Sequence, residues 1–249
     1  MIEIRGLAKR LGRRQVLEGL DLDIRTGETL VVLGPSGTGK SVLLKHVIGL
    51  MKPDAGSIRI DGEDIVELKE KELNLVRRRF GMLFQGAALF DSMTVGENVA
   101  LAMQEHARDM TPEEVGRRVR ERLDWVGLEE AEGMKPSSLS GGMRKRAGLA
   151  RALAMDPEYI LYDEPTTGLD PITADVINQL IRALQKRLNV TSVVVTHDIK
   201  SAFAVADRIV LLYEGHVVYD GTVDETRRTD DAMVRQFLEG SSRGPIQPV

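Results

Sequence analysis

The stretch that most constrains how this chain can fold is residues 29–50, "TLVVLGPSGTGKSVLLKHVIGL". It opens with "TLVVLG", a short β-branched run that stops at a glycine, as a buried strand does. It closes with "SVLLKHVIGL", where Val42, Leu43, Val47 and Leu50 share one helical face and predict an amphipathic helix. Between them, Gly34, Gly39, Lys40 and Ser41 meet the spacing G-x-x-x-x-G-K-[ST] in the strand–loop–helix setting it needs. Glycines let the backbone curl until successive N–H groups face inward, which makes a cradle for phosphate oxygens. Lys40 is placed to reach the β- and γ-phosphates of a nucleotide, and the Ser41 hydroxyl to complete a Mg²⁺ shell. The expected nucleotide-binding set is Gly34, Pro35, Ser36, Gly37, Thr38, Gly39, Lys40, Ser41 and Val42.

A second loop far downstream is also suited to phosphate. "LSGGMRKRAGLARAL", residues 139–153, sets Ser140, Gly141 and Gly142 ahead of a helix-like run. A helix start offers unpaired N–H groups and the positive end of the peptide dipoles. One nucleotide needs one cradle, so the duplication requires an explanation.

Strand signals return at "YILYDE" and "TSVVVTH", separated by the helix-like "PITADVINQLIRALQKRL", an order that implies a right-handed parallel crossover. Asp163 and Glu164 therefore end an apolar strand, at the sheet edge where ligands of parallel sheets bind. Asp163 suits a Mg²⁺ shell, and Glu164 suits the orientation or deprotonation of an attacking water. Phosphoryl transfer asks mainly for positioning and charge stabilisation, so a donor near the γ-phosphate completes the set. His197, at the end of the next strand "VVVTHD", is the candidate.

Other segments frame these motifs. "MIEIRGL" and "QVLEGLDLDI" alternate like paired strands, "GSIRIDG" reads as a strand, and "RIVLLYEGHVVYDG" as a hairpin around Glu214-Gly215. From about residue 95 to 155 the texture is helical. In "TPEEVGRRVRERLDWVGL", Thr111 caps, Pro112 fits the first helical position, and Glu114 completes a capping box. Val115, Val119, Leu123 and Val126 form its stripe, while Arg117, Arg118, Arg120 and Arg122 read as a solvated face. Near the end, Met233, Val234, Phe237 and Leu238 recur at helical spacing before "SSRGPIQPV". That tail either folds back on its own core or reaches a neighbouring subunit.

Composition removes several classes of function. The 249 residues carry 34 Lys plus Arg against 38 Asp plus Glu, a formal charge of -4, without the basic excess of a nucleic-acid binder. The lack of cysteine excludes disulfides and Cys-based zinc sites, and the 4 histidines are scattered. "MIEIRGLAKRLGRR" has no signal-peptide core, and runs such as "IVLL" fall far short of the ~20 residues of a membrane span.

In chain order these residues resemble the ATP-binding cassette (ABC) ATPases. "GPSGTGKS" resembles the Walker A loop, "FQ" with Gln85 the Q-loop, and "LSGGM" the signature loop. "ILYDE" resembles Walker B, "GLD" with Asp170 the D-loop, and "TH" with His197 the switch histidine. The resemblance implies an α/β P-loop NTPase of ABC type. Its sheet core would be mixed and largely parallel, with N-terminal antiparallel strands and an inserted α-helical subdomain. The expected boundaries are a single ABC ATPase domain over 1–240, its core 1–94 and 156–240, its helical subdomain 95–155, and an extended tail 241–249. The cofactors implied are ATP and Mg²⁺, with Ser41, Gln85 and Asp163 near the metal and Lys40, Glu164 and His197 in catalysis. The second cradle then has a use. Ser140, Gly141 and Gly142 of one subunit would read the γ-phosphate of ATP held by the other, alongside Asp170, in a head-to-tail homodimer.

"LFQGAALFDSMTVGENVA", "SGGMRKRAGLARAL" with Met143, "DEPTTGLDPIT" and "VRQFLEGSSRGP" are similar to the Mla/Mce-type phospholipid-transport ATPases. That likeness implies a peripheral subunit on the cytoplasmic face of the bacterial inner membrane. Its implied partners are an integral membrane permease of the MlaE type, an Mce-domain lipid-binding protein acting through that permease, and a small STAS-domain protein. Two other readings stand beside it: the ATPase of another importer, such as one for amino acids, and a soluble ABC ATPase outside transport. One departure concerns the base. ABC ATPases stack adenine on an aromatic near the chain start, where "KRLGRRQ" offers Arg10, Leu11 and Arg13 instead.

Overall fold

Strands β1 (Ile2–Leu11) and β2 (Arg14–Ile24) pair antiparallel in the computed structural model, which describes residues 1–107 and 109–247. Ile2, Ile4, Leu7, Leu17, Leu20, Leu22 and Ile24 are buried, as the alternation in the sequence requires. There follow β3 (Thr29–Leu33), α1 (Lys40–Val47), β4 (Ala55–Ile60), β5 (Glu63–Asp64) and α2 (Glu70–Arg77). Next come β6 (Phe80–Leu83), α3 (Val95–His106), α4 (Pro112–Trp125), α5 (Gly141–Ala152), β7 (Tyr159–Asp163) and α6 (Pro171–Leu188). The chain continues through β8 (Thr191–Thr196), α7 (Ile199–Val205), β9 (Arg208–Tyr213), β10 (His216–Thr222), α8 (Val223–Arg228) and α9 (Ala232–Glu239). Among the described residues, no helix is long and apolar enough to cross a membrane.

The chain divides into two compact units, Met1–Val76 with the chain from Thr191 onward, and Arg77–Val190. The first holds an antiparallel sheet ordered β2-β1-β4-β5 and the strands β10-β9-β3-β8. There β3 runs parallel to both β8 and β9, with Leu33 opposite Thr196 and Leu211. Leu30, Val31, Val32 and Leu33 are all buried, which explains a strand without alternation; each contributes about 1.5–3 kcal/mol by leaving water. Strands β9 and β10 form the expected hairpin, turning at Glu214 and Gly215 with φ of 47° and 82°, the pair of positive values a tight hairpin turn demands. Helix α1 is shorter than its apolar spacing suggests. It gives way at Ile48 to Gly49, whose φ is 67°, and Leu50 beyond it is 51% exposed rather than part of the buried face.

The C-terminal segment packs within this same unit. Val234 of α9 is buried, and the Gln236 amide exchanges hydrogen bonds with the backbone of Ile246, receiving its N–H at 2.7 Å and donating to its carbonyl at 2.8 Å. Ile246 is buried, and the Gln247 N–H donates to the Tyr213 hydroxyl at 3.1 Å. Through Gln247 the tail therefore folds back on its own unit; Pro248 and Val249 lie outside the described residues.

In the second unit β6 and β7 pair in parallel, with Leu83 opposite Tyr162. The Phe80 and Tyr159 rings stack at 4.9 Å where that pair begins. Helices α3 and α4 start with the capping boxes Thr94–Glu97 and Thr111–Glu114, and α6 spans the helix-like run after Asp170. β6 packs against α5, which places both strands in one compact unit with the helices. Arg122 corrects the expectation of a solvated arginine face. Its side chain is buried, donates to the Leu153 carbonyl at 3.0 Å, pairs with Asp156, and lies 3.9 Å from the Trp125 ring. An arginine with a carboxylate and an aromatic face to meet loses little by leaving water.

Candidate nucleotide-binding and catalytic site

In the first unit, the pairing of Leu33 with Thr196 makes Gly34 and His197 leave adjacent strands at the same sheet edge. The loop between β3 and α1 closes on its own lysine. The buried Lys40 ammonium donates to the carbonyls of Gly34 at 2.8 Å and Pro35 at 2.9 Å, and the Thr38 hydroxyl donates to Pro35 at 2.9 Å. From β2, the Arg14 guanidinium donates to the Gly37 carbonyl at 3.1 Å. Gly39 has a φ of 101°, and a Cβ there would stand 2.9 Å from the Val16 carbonyl oxygen, so no side chain fits the cradle at this point.

Gly39 is also the N-cap of α1, which has no side-chain cap and no acidic residue in its first turn. Helices α3 through α9 each have one, from Thr94, Thr111, Ser140, Asp170, Asp198, Thr222 and Asp231. A hollow of about 310 Å³ opens on this helix start, lined by Leu11, Arg14, Val16, Gly37, Gly39, Lys40, Ser41 and Val42. Of the segment that lacks an aromatic, Leu11 thus borders the loop, and Arg14 joins it. His197 is exposed at the end of β8, and Asp198 next to it caps α7.

The second unit assembles the remaining motifs. The β6–β7 register sends Gln85 and the pair Asp163-Glu164 out of one edge. Asp163 and Glu164 are both only 8% exposed. Glu164 has a φ of 48°, a left-handed conformation that side chains other than glycine seldom adopt. The Thr167 hydroxyl donates to its Oε2 at 3.0 Å. Lys145 of α5 donates to the Glu164 carbonyl at 3.0 Å and to the Gln85 carbonyl. Burial pushes the Lys145 ammonium below its ordinary value, while the Asp163 and Glu164 carboxylates pull it back up. One side chain thereby joins the Q-loop, the signature helix and the acidic strand end.

The signature loop is satisfied within its own chain. The Ser140 hydroxyl accepts the Met143 N–H at 3.2 Å and caps α5. Gly142 is buried, and a Cβ there would meet Thr173 Cγ2 at 2.5 Å; one on Gly141 would meet Leu169 at 3.3 Å. Asp170 caps α6, accepting from the N–H groups of Ile172 and Thr173 at 3.0 Å each and from the Thr173 hydroxyl at 2.5 Å. These bonds, that of the Thr173 hydroxyl foremost, hold its carboxyl below the usual carboxylate range.

Lys145 and Thr167 are absent from the set read from the sequence. Lys145 had a signal, since it falls between Gly142 and Gly148 among the buried positions of a helix, where an unpaired lysine does not sit.

A glycine-rich strand–loop–helix in one unit, and an acidic strand end beside a capped Ser-Gly-Gly helix start in the other, are features of an ABC-type P-loop NTPase. Its antiparallel N-terminal sheet, mixed and largely parallel core strands and helical subdomain are those of that fold. A family model described as ABC transporter matches residues 17–167, and the chain belongs to this family as an ATP-binding subunit whose ATP hydrolysis is coupled to transport. It is 46% identical over 245 residues to the "Probable ribonucleotide transport ATP-binding protein mkl" of Mycobacterium leprae, spanning 98% of this chain and 70% of that one. It is 42% identical over 248 residues to the "Intermembrane phospholipid transport system ATP-binding protein MlaF" of Haemophilus influenzae, spanning 99% of this chain and 93% of that one. Among solved structures, the dimeric post-hydrolysis state of the ATP-binding cassette MJ0796 bound to ADP and Pi matches with a TM-score of 0.83 and 36% identity, over 90% of this chain and 99% of that chain.

Proposed function

We propose that this chain powers a phospholipid transporter as a head-to-tail homodimer, each ATP lying between the Walker A loop of one subunit and the signature loop of the other. The observation that carries the dimer is the contrast between two glycine-rich helix starts. That of α1 has no capping side chain, whereas that of α5 is already capped by its own Ser140. A capped start has little to offer inside one chain, but its exposed Ser140 and half-exposed Gly141 are available to a partner's phosphate.

The residues present fit both cofactors. Gly39 leaves the cradle space that a Cβ would fill, which suits the close approach of phosphate oxygens. The candidate metal donors, Ser41, Gln85 and Asp163, offer only hard oxygen atoms. Among the described residues no group of three or more His, Asp or Glu could cage a metal. That matches Mg²⁺, which usually keeps waters and substrate phosphates in its shell and neutralises charge on the β- and γ-phosphoryl oxygens. The remaining work is done by side chains. Residues 34–42 hold the nucleotide and Lys40 exchanges its loop carbonyls for the β- and γ-phosphates. Glu164, steadied by Thr167, orients the attacking water, and His197 donates to the γ-phosphate. Ser140, Gly141 and Gly142 serve the partner's nucleotide, with Asp170 fixing the start of α6 beside them.

The substrate reading rests on the phospholipid-transport relative, which this chain matches over nearly its whole length. It brings a permease of the MlaE type, an Mce-domain protein, a small STAS-domain protein and a peripheral position on the cytoplasmic face of the inner membrane. A ribonucleotide cargo is the second reading, favoured by the name of the mycobacterial relative. The test is to tag a Glu164→Gln variant, extract it gently from native membranes with ATP, and identify what accompanies it. A permease with an Mce-domain protein and bound phospholipid is expected. A permease with a solute-binding protein, for ribonucleotides or amino acids, would replace the substrate while leaving the site roles as they are.

A further inference from the structure

Two basic side chains of the signature helix, the buried Lys145 and the half-buried Arg151, end on backbone carbonyls. Lys145 donates to the carbonyls of Gln85 and Glu164, the latter at 3.0 Å. Further along α5, the two arms of the Arg151 guanidinium donate to the carbonyls of Ala87 at 2.8 Å and Ala88 at 2.6 Å. Between them, Gly148 lets the Q-loop press onto the helix, since a Cβ there would stand 2.9 Å from Leu83 and 3.1 Å from Ala87.

The backbone these cations grip is strained. Ala87, Ala88 and Glu164 have φ of 60°, 49° and 48°, and none is a glycine. Such conformations persist only where the surroundings over-determine them, and they cluster at sites whose geometry matters. Hydrogen bonds from a cation to a carbonyl are among the stronger ones available to a protein. Partial burial lowers the Arg151 proton affinity, a cost its two carbonyl partners offset.

We infer that Lys145 and Arg151 are positioning residues for ATP hydrolysis: they clamp the strained Gln85–Ala88 backbone to the signature helix, and Lys145 extends the clamp to the backbone of Glu164. The inference rests on Glu164 being the residue that orients the attacking water. It adds a mechanical link, because a displacement of the Q-loop is passed to the base of Glu164 through one helix. Neither residue lies within residues 34–42, so the clamp bears on hydrolysis more than on nucleotide capture.

The experiment is steady-state hydrolysis by the full-length chain in its transporter complex, with nucleotide affinity and thermal unfolding measured alongside. Lys145→Met keeps the aliphatic stem and removes the donors; kcat is expected to fall about 10–100-fold with KM for ATP within about twofold. Lys145→Gln, whose amide offers N–H donors without charge, recovers much of that loss. Combined with Gln85→Ala, Lys145→Met should lower kcat no further than the worse single variant, because both act through one loop. Losses that multiply, or a Lys145→Met variant that melts lower yet keeps its kcat, would overturn the inference. If Lys145→Met does not fold, Arg151→Met carries the same test, since it keeps an aliphatic stem and removes the donors to both Ala87 and Ala88. A kcat loss of about 3–10-fold at unchanged KM is then expected, and an unchanged kcat contradicts the clamp. Glu164→Gln is the control: full activity there would sink the role of Glu164 itself, whereas an inactive Glu164→Gln beside a fully active Lys145→Met would sink only the clamp.

Discussion

The helix starts at Lys40 and Gly141 are alike in sequence and opposite in state. Glycines mark both, before α1 and at the first two positions of α5, and neither has an acidic residue in its first turn. At α1 the N-cap is Gly39, which has no side chain to bond, and the loop before it is held by Lys40, Thr38 and Arg14. At α5 the cap is Ser140, and Gly142 is a glycine for a reason inside the chain, the approach of Thr173 from α6. The difference teaches that a Ser-Gly-Gly helix start can be a finished piece of packing within its own chain. One end is organised around what enters its own chain, the other around the neighbouring helix.

The largest effect that can break this contrast is at the first helix. Lys40→Ala is expected to reduce hydrolysis at least ~100-fold, the scale of losing one preorganised charge at a developing anion. Normal turnover, measured by phosphate release, would remove α1 as the nucleotide site. Gly142→Ala should destabilise the chain by about 1–3 kcal/mol in urea unfolding, because its Cβ collides with Thr173. Adding Thr173→Ser, which deletes the methyl group concerned and keeps the hydroxyl on Asp170, should return most of it. A Gly142→Ala variant as stable as the parent would remove the packing reason for this glycine.

Smaller effects sharpen the same comparison. Ser140→Ala should cost about 1 kcal/mol by uncapping α5 while leaving nucleotide affinity of the isolated chain unchanged in a titration. A loss of affinity in that chain would mean the two loops act in cis. The smallest effect concerns Asp170, whose carboxyl is held below its usual range by Thr173 and Ile172. A depressed folded value means the capping contribution is complete above the unfolded value and is lost as the pH falls through the folded one. Asp170→Asn, which still accepts the same N–H groups, should therefore flatten the acid side of the melting profile below roughly pH 4, and an unaltered profile would mean the cap is not linked to protonation.

What the sequence made legible follows from how far apart the interacting residues lie. The Thr111–Glu114 capping box, the β9–β10 turn and the uncapped loop before α1 are short-range features, and each stands as its residues imply. Gln85 came from the motif resemblance alone; β6, the strand whose parallel register groups it with Asp163-Glu164, was not among the strands read from the sequence. Arg122 was misread because its partners, Leu153 and Asp156, lie on a different segment. Thr167 was missed because its type carries no motif, and Lys145 because its one signal, a lysine on the buried face of a helix, does not say that the fold brings it to Glu164. Leu50 fell off its stripe because Gly49, one residue earlier, leaves the helical region.

The central claim, that α1 serves its own chain's nucleotide and the α5 loop serves the partner's, is tested most directly by mixing two inactive variants. Lys40→Ala keeps an intact signature loop, and Ser140→Arg keeps an intact Walker A loop. In a head-to-tail dimer one of each restores one whole site and doubles the damage in the other, so random pairing should recover roughly a quarter of normal turnover. Neither variant alone should hydrolyse ATP. Mixed chains that associate in ATP, by light scattering, yet stay inactive while each variant alone is inactive too would contradict the account, and would place both loops at one nucleotide within a single chain.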